Sequence, residues 1–184
     1  MAERIHCFPP VINSQTQVLI LGSLPGEMSL GAGEYYANPQ NHFWRLLGSA
    51  LGISFLPRFS YENRLRLMQH LGVGIWSSIE SGEREGTSLD AQIRNVQSTD
   101  LLKALIDHDI EGLAAVLFDG RLAEKVFMKQ TLCQLPPLTQ RIIAFEYLPS
   151  SSAAYAAMGF EHKARMWNNR IRKHLDHFSK QRNR

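Results

Sequence analysis

The stretch VLILGSLPGEMSLGAGEYYANPQNHFWRLL, residues 18–47, governs the reading of the chain. It begins with an unbroken run of Val, Leu and Ile, the pattern of a strand buried on both faces. A glycine-rich loop follows, with Gly22, Pro25, Gly26, Gly31 and Gly33. Glycine there permits φ > 0 and lets a ligand come close to the backbone. Tyr35, Tyr36, Asn38, Asn41, His42, Phe43 and Trp44 then crowd together. Flat aromatic faces with amide donors and acceptors suit a pocket for a planar heterocycle. The plainer alternative makes the aromatics core and Asn41 a helix cap. Phe43 and Trp44, followed by Leu46 and Leu47 at helical spacing, fit that alternative. Tyr36 and Asn41 fit the pocket.

Working outward, helical spacing continues to about Leu51, with Gly52 as a stop, and a second helix is predicted over Tyr61–Leu71. Val73–Trp76 reads as a second buried strand. Residues 77–98 are polar and glycine-punctuated, a loop in which Ser88 or Asp90 caps a short helical turn. A helix capped by Thr99 or Asp100 runs to His108, and Ala114–Phe118 is the third strand. Asp119-Gly120 turns into a helix from Arg121 to about Lys129. The fourth strand is expected at Arg141–Phe145, and a last helix from near Ala153, broken at Gly159-Phe160 and resuming to Leu175. Strands alternating with helices predict an α/β fold, a three-layer α/β/α sandwich around a central four-stranded parallel sheet. In such sheets ligands bind beyond the carboxyl ends of the strands. Loops 22–41, 77–90, 119–121 and 146–152 leave from that edge.

With 184 residues, 44% hydrophobic and 20% charged, the chain reads as a single domain, 1–184, with a basic tail over 176–184. The net charge of +3 permits nucleic-acid binding without requiring it. Cys7 and Cys133 are far apart and form no CxxC, so no disulfide framework, zinc site or iron–sulfur cluster is expected. The N-terminal residues lack the apolar core of a signal peptide, and no apolar run approaches a membrane span. A cytoplasmic protein, without membrane contact and monomeric, is the expectation. Gly22-x-x-x-Gly26 lacks the Gly-Lys-Ser/Thr of a phosphate-binding loop, Gly31-Ala32-Gly33 lacks a third glycine, and no serine sits in GxSxG.

The opening stretch resembles the first motif of the uracil-DNA glycosylase superfamily, in particular its hypoxanthine- (deoxyinosine-) DNA glycosylase branch. The turn is Gly22-Ser23-Leu24-Pro25, and the segment after it is Tyr35-Tyr36-Ala37-Asn38-Pro39-Gln40-Asn41-His42-Phe43-Trp44, with Asn38 where His is usual. Leu148-Pro149-Ser150-Ser151-Ser152-Ala153-Ala154, followed by a helix with Lys163 and Trp167, is similar to the second motif, with Ala153 in place of a proline. Gly72–Trp76, Arg84–Asp90 and Phe118-Asp119-Gly120 are similar to the family's middle region, with Ser77 where Asp is common. The resemblance spans most of residues 18–167. Read physically, the serine-rich turn offers hydroxyls and free N–H groups to a phosphate or a base edge. The alternative is helix capping by Ser151 or Ser152.

The resemblance implies a monofunctional hydrolase that extrudes a deaminated base from double- or single-stranded DNA and leaves an abasic site. Asn41 is its implied catalytic residue, acting on the attacking water or on the leaving base. Gly22, Ser23, Leu24, Pro25, Tyr36, Ser150 and Ser151 are the implied base-binding set, with Tyr36 as the stacking face. Ser152, Lys163 and Arg165 are the DNA-binding set, and no metal or cofactor is expected. No lysine lies in 18–45 or 146–152, which argues against Schiff-base chemistry. Glu27, Glu34 and Glu146, the acids near the strand ends, read as surface residues. Uracil in place of hypoxanthine, or a non-catalytic binder of damaged DNA or nucleotides, are the competing readings.

Overall fold

The computed structural model describes residues 3–84 and 90–175. The expected cap at Ser88, most of the Arg84–Asp90 segment and the tail 176–184 lie outside these. In chain order the elements are β1 (Glu3–His6), β2 (Val18–Gly22), α1 (Glu27–Ala32), α2 (Phe43–Leu51), α3 (Tyr61–His70), β3 (Val73–Ser77), β4 (Ile79–Arg84), β5 (Arg94–Ser98), α4 (Leu101–Asp107), β6 (Ala115–Asp119), α5 (Arg121–Val126), α6 (Pro137–Ile142), β7 (Ala144–Leu148) and α7 (Phe160–Arg172).

β3-β2-β6-β7 form the central sheet, every neighbour parallel. Val18–Leu21, all of β3 and all of β6 are buried, so successive side chains on both faces are covered and the architecture is an α/β/α sandwich. α2 and α7 pack side by side, with the ring of Phe43 edge-on to Trp167 at 5.6 Å. Phe127, just after α5, meets Phe118 of β6 and Phe145 of β7 at 5.0 and 5.4 Å. Gly52 closes α2 in the left-handed conformation, and the Asp100 carboxylate accepts the Lys103 N–H to start α4.

Three features depart from the sequence reading. Residues 79–84 and 94–98, read as loop, are strands: β4 pairs antiparallel with β1 and β5 in a separate three-stranded sheet. That sheet closes a small cluster of Leu24, Ile79 and Val126. The fourth central strand lies three residues later than expected, because Pro136 and Pro137 open α6 over part of its predicted span; proline at the first helical position costs no hydrogen bond. The last helix begins at Phe160, not near Ala153. Among the described residues no helix is long and apolar enough to cross a membrane.

The outer edge of β3 is covered by the N-terminal lead-in, where Val11 and Ile75 exchange N–H···O bonds of 2.9 and 3.1 Å. Gly74 makes this possible: a Cβ there would meet the Ile12 side chain at 2.7 Å and the Val11 carbonyl at 3.1 Å. Gly74→Val is therefore expected to destabilise the fold by about 1–3 kcal/mol through overpacking. Urea unfolding measures it, and unchanged stability would show that the lead-in does not seal the sheet.

Candidate active site

The carboxyl ends of all four central strands open into one cavity of about 530 Å³. Gly22 ends β2, Ser77 ends β3 and Asp119 ends β6, while Ser150 follows β7; all four line it. Ser23, Leu24, Pro25, Tyr36, Asn38, Asn41, Ser151 and Ser152 line it as well. The predicted base-binding residues and Asn41 thus surround a single space. Its volume falls within the range of small-molecule sites.

Tyr36 enters the site in an unusual backbone conformation, φ 54°. One ring face is stacked on Phe43, with centroids 3.6 Å apart and planes at 3°. The half-buried remainder lines the cavity. Its hydroxyl is buried over Gly22, where a Cβ would approach it to 2.9 Å, and has no hydrogen-bond partner among the described residues. Gly22 is thus required for space, not for a positive φ as the glycine-rich loop suggested. Burial, with Asp119 beside it, holds the Tyr36 phenol well above its ordinary range.

Asn41 both shapes the entry to α2, one residue before its N-cap His42, and lines the cavity. Its Oδ1 accepts the Phe43 N–H at 2.8 Å, forming the turn that leads into α2. That bond fixes the amide orientation, so the group left for a ligand is the Nδ2 donor, which has no partner among the described residues.

Asp119 was not among the residues singled out from the sequence, where it read as part of a turn. It is buried, and both oxygens are engaged by Ser151: the N–H donates to one at 2.7 Å and the hydroxyl to the other at 2.5 Å. Burial lifts its carboxyl from the ordinary 3.8 to about 6, outweighing the lowering by the Ser151 bonds and Tyr36. The available signal was position, an acid at the carboxyl end of a buried parallel strand. Arg121, Tyr147, Tyr155 and Asp90 also line the cavity and were passed over. Asp90 accepts the Ser23 hydroxyl at 2.6 Å.

The serine turn does not cap a helix. Ser151 is bound to Asp119, the Ser150 hydroxyl accepts the Ser152 N–H at 3.2 Å, and the Ser152 hydroxyl accepts the Ala154 N–H at 3.2 Å. Lys163 departs from its expected place at the DNA. It is buried, does not line the cavity, and its ammonium donates to the carbonyls of Tyr155 at 2.9 Å and Ser152 at 3.4 Å. Its position on the packed face of α7 is the reason. Arg165 is exposed on the same helix and away from the cavity-lining set. Glu146 is held by Lys173 at 2.6 Å and His174 at 2.8 Å, a clasp for the C-terminal helix.

A parallel α/β sandwich with a cavity lined by aromatic, serine and carboxamide side chains at the strand carboxyl ends has the form of a small-molecule site. The uracil DNA glycosylase superfamily model matches residues 9–175. The chain belongs to that superfamily. It is similar to a protein named hypoxanthine DNA glycosylase from Methanosarcina barkeri, 40% identical over 114 residues, or 62% of this chain and 70% of that one. A second of that name, from Methanosarcina acetivorans, is 39% identical over 118 residues, or 63% of this chain and 71% of the relative. In structure it is similar to a solution NMR structure from Methanosarcina acetivorans, described as a candidate uracil DNA glycosylase. There the TM-score is 0.74 with 32% identity, over 91% of this chain and 96% of the other.

The raised Asp119 pKa has a consequence for stability. A carboxyl whose folded pKa exceeds its unfolded one stabilises the fold fully below the unfolded value and loses that contribution as pH rises through the folded value. From 3.8 to about 6, at about 1.4 kcal/mol for each pKa unit, the loss is about 3 kcal/mol between roughly pH 4 and 7. Asp119→Asn removes this dependence. The stability of the wild type relative to Asp119→Asn is expected to fall across that window, measured by urea unfolding at stepped pH, and a constant difference would refute it.

Proposed function

We propose that this protein is a monofunctional DNA glycosylase that hydrolyses the N-glycosidic bond of a deaminated base extruded from DNA, hypoxanthine foremost, leaving an abasic site. The name of the two curated relatives supports the choice of base. The observation that carries the reading is the Asn41 carboxamide, tied by its oxygen to the start of α2 with its NH2 left for the cavity. N-glycosidic cleavage passes through an oxocarbenium-like sugar while negative charge gathers on the base. A fixed neutral donor stabilises that charge without titrating. Because the oxygen is occupied, a role on the leaving base is favoured over one on the attacking water.

The other residues fit the same reading. Tyr36, backed by Phe43, supplies a rigid aromatic wall for the base. Deamination of adenine or cytosine replaces a ring-nitrogen acceptor by an N–H. The Asp119 carboxylate, an acceptor at neutral pH, therefore favours the deaminated base over its parent. No lysine is among the described residues that line the cavity, which supports hydrolysis over Schiff-base chemistry. The chain is read as a cytoplasmic monomer that takes its base from single- or double-stranded DNA without metal or cofactor.

A deoxyinosine duplex incubated with protein in single turnover, then treated with alkali, is expected to show strand cleavage at the lesion. Absence of cleavage in both deoxyinosine and deoxyuridine duplexes would sink the reading. Asn41→Asp keeps an oxygen for the Phe43 N–H and loses the donor, so a hundred- to thousand-fold slower release is expected, on the order found for single positioned donors. Asn41→Ala is expected to be as slow and about 1 kcal/mol less stable, since it also loses the turn into α2. An Asn41→Asp variant releasing base at the wild-type rate would overturn the donor assignment.

A further inference from the structure

A base seated in the cavity stays tethered to the phosphates on either side of its sugar, so those anions must lie at the cavity rim. Arg121 is the one lysine or arginine among the cavity-lining residues described. Its guanidinium lies over the Tyr147 ring, 3.7 Å from the centroid. Tyr155 lines the same cavity as Tyr147, and after burial its hydroxyl is the largest influence pushing the Tyr147 phenol up to about 12. Tyr155 is held from behind by Lys163, whose ammonium lies 4.9 Å from the ring centroid and donates to the Tyr155 carbonyl. Three separate segments, the start of α5, the end of β7 and the turn before α7, thus build one cationic and aromatic rim.

Arg121 is ready for a ligand. Its side chain is 72% exposed, and its ion pair, Nη1 to Glu124 at 2.6 Å, occupies one of five N–H donors. The Tyr147 platform restrains the guanidinium, which lowers the entropy lost when an anion is bound. Tyr155, half-buried at the same rim, offers an aromatic surface to an unpaired base.

We propose that Arg121 on its Tyr147 platform, with Tyr155 beside it, is the seat for the DNA strand adjoining the extruded nucleotide. Arg121 takes a phosphodiester and Tyr155 the face of a neighbouring base. This rests on the DNA glycosylase reading and adds to it the residues that grip the strand.

The test is equilibrium binding to a duplex bearing a tetrahydrofuran abasic-site analogue, which cannot be hydrolysed, across a salt series. Arg121→Ala is expected to weaken binding on the order of tenfold, as for loss of a charged hydrogen bond. It should also flatten the slope of log K against log salt by about 0.9. Arg121→Lys should restore the slope while recovering part of the affinity. Glu124→Gln, which frees Arg121 of its competitor, should bind more tightly, and Tyr155→Ala about tenfold more weakly at unchanged slope. Wild-type release of hypoxanthine from a deoxyinosine duplex is assayed in parallel. A wild type releasing no base defeats the parent reading. An active wild type whose Arg121→Ala variant keeps its thermal stability, affinity and salt slope overturns the strand seat, as does weaker binding with an unchanged slope.

Discussion

Ser151 spends every hydrogen-bonding group it has on two other segments. Its N–H and hydroxyl donate to the two oxygens of Asp119, and its carbonyl accepts the His42 N–H at 2.9 Å. The end of β6, the turn after β7 and the entry to α2 are thereby locked together at the mouth of the sheet. Hydrogen bonds to a charged group are worth about 1.5–3 kcal/mol each, and a buried carboxylate without donors costs several kcal/mol. Burial still wins, since Asp119 remains raised to about 6 despite both bonds. The lock therefore contributes geometry more than net stability. It sets Asn41, one residue before His42, against the same cavity as the serines.

The aromatic wall is built against a conformational cost. Tyr36 occupies the left-handed region at φ 54°, which costs a β-carbon residue about 1–3 kcal/mol. Its stack on Phe43 returns about 0.5–1.5 kcal/mol beyond area burial, and burial of the ring supplies the rest. Gly22 leaves the hydroxyl its room. Tyr35 also borders the cavity, but its hydroxyl donates to the carbonyls of Phe8 and Pro9 at 2.9 and 3.2 Å and so ties down the lead-in.

The central sheet was legible because its strands are continuous apolar runs, a pattern only double-sided burial explains. The second sheet was not, because β4 reads Ile79-Glu80-Ser81-Gly82-Glu83-Arg84 and its buried positions include a serine, a glycine and an arginine. Arg84 is tolerated there because its guanidinium donates to the Pro25 carbonyl at 2.7 Å, a partner no local pattern announces. The same holds for the site. Gly22–Pro25, Tyr36, Asn41 and Ser150–Ser152 stand out by composition and strand-edge placement. Asp119 carries one polar side chain after four apolar ones and looks like the start of any turn.

Lys163 shows where charge alone misleads and helical phase does not. Residues 163, 167, 171 and 175 recur every four positions, and Trp167, Ile171 and Leu175 are fully buried. Lys163 shares their face, whereas Arg165, two residues on, points outward. Burying an ammonium is tolerable only if its donors are met. Here the acceptors are the carbonyls of Ser152 and Tyr155. The Ser152 carbonyl accepts both the Tyr155 N–H, at 3.1 Å, and this ammonium. The irregular turn before α7 thus presents two carbonyls to the buried lysine while its other side walls the cavity.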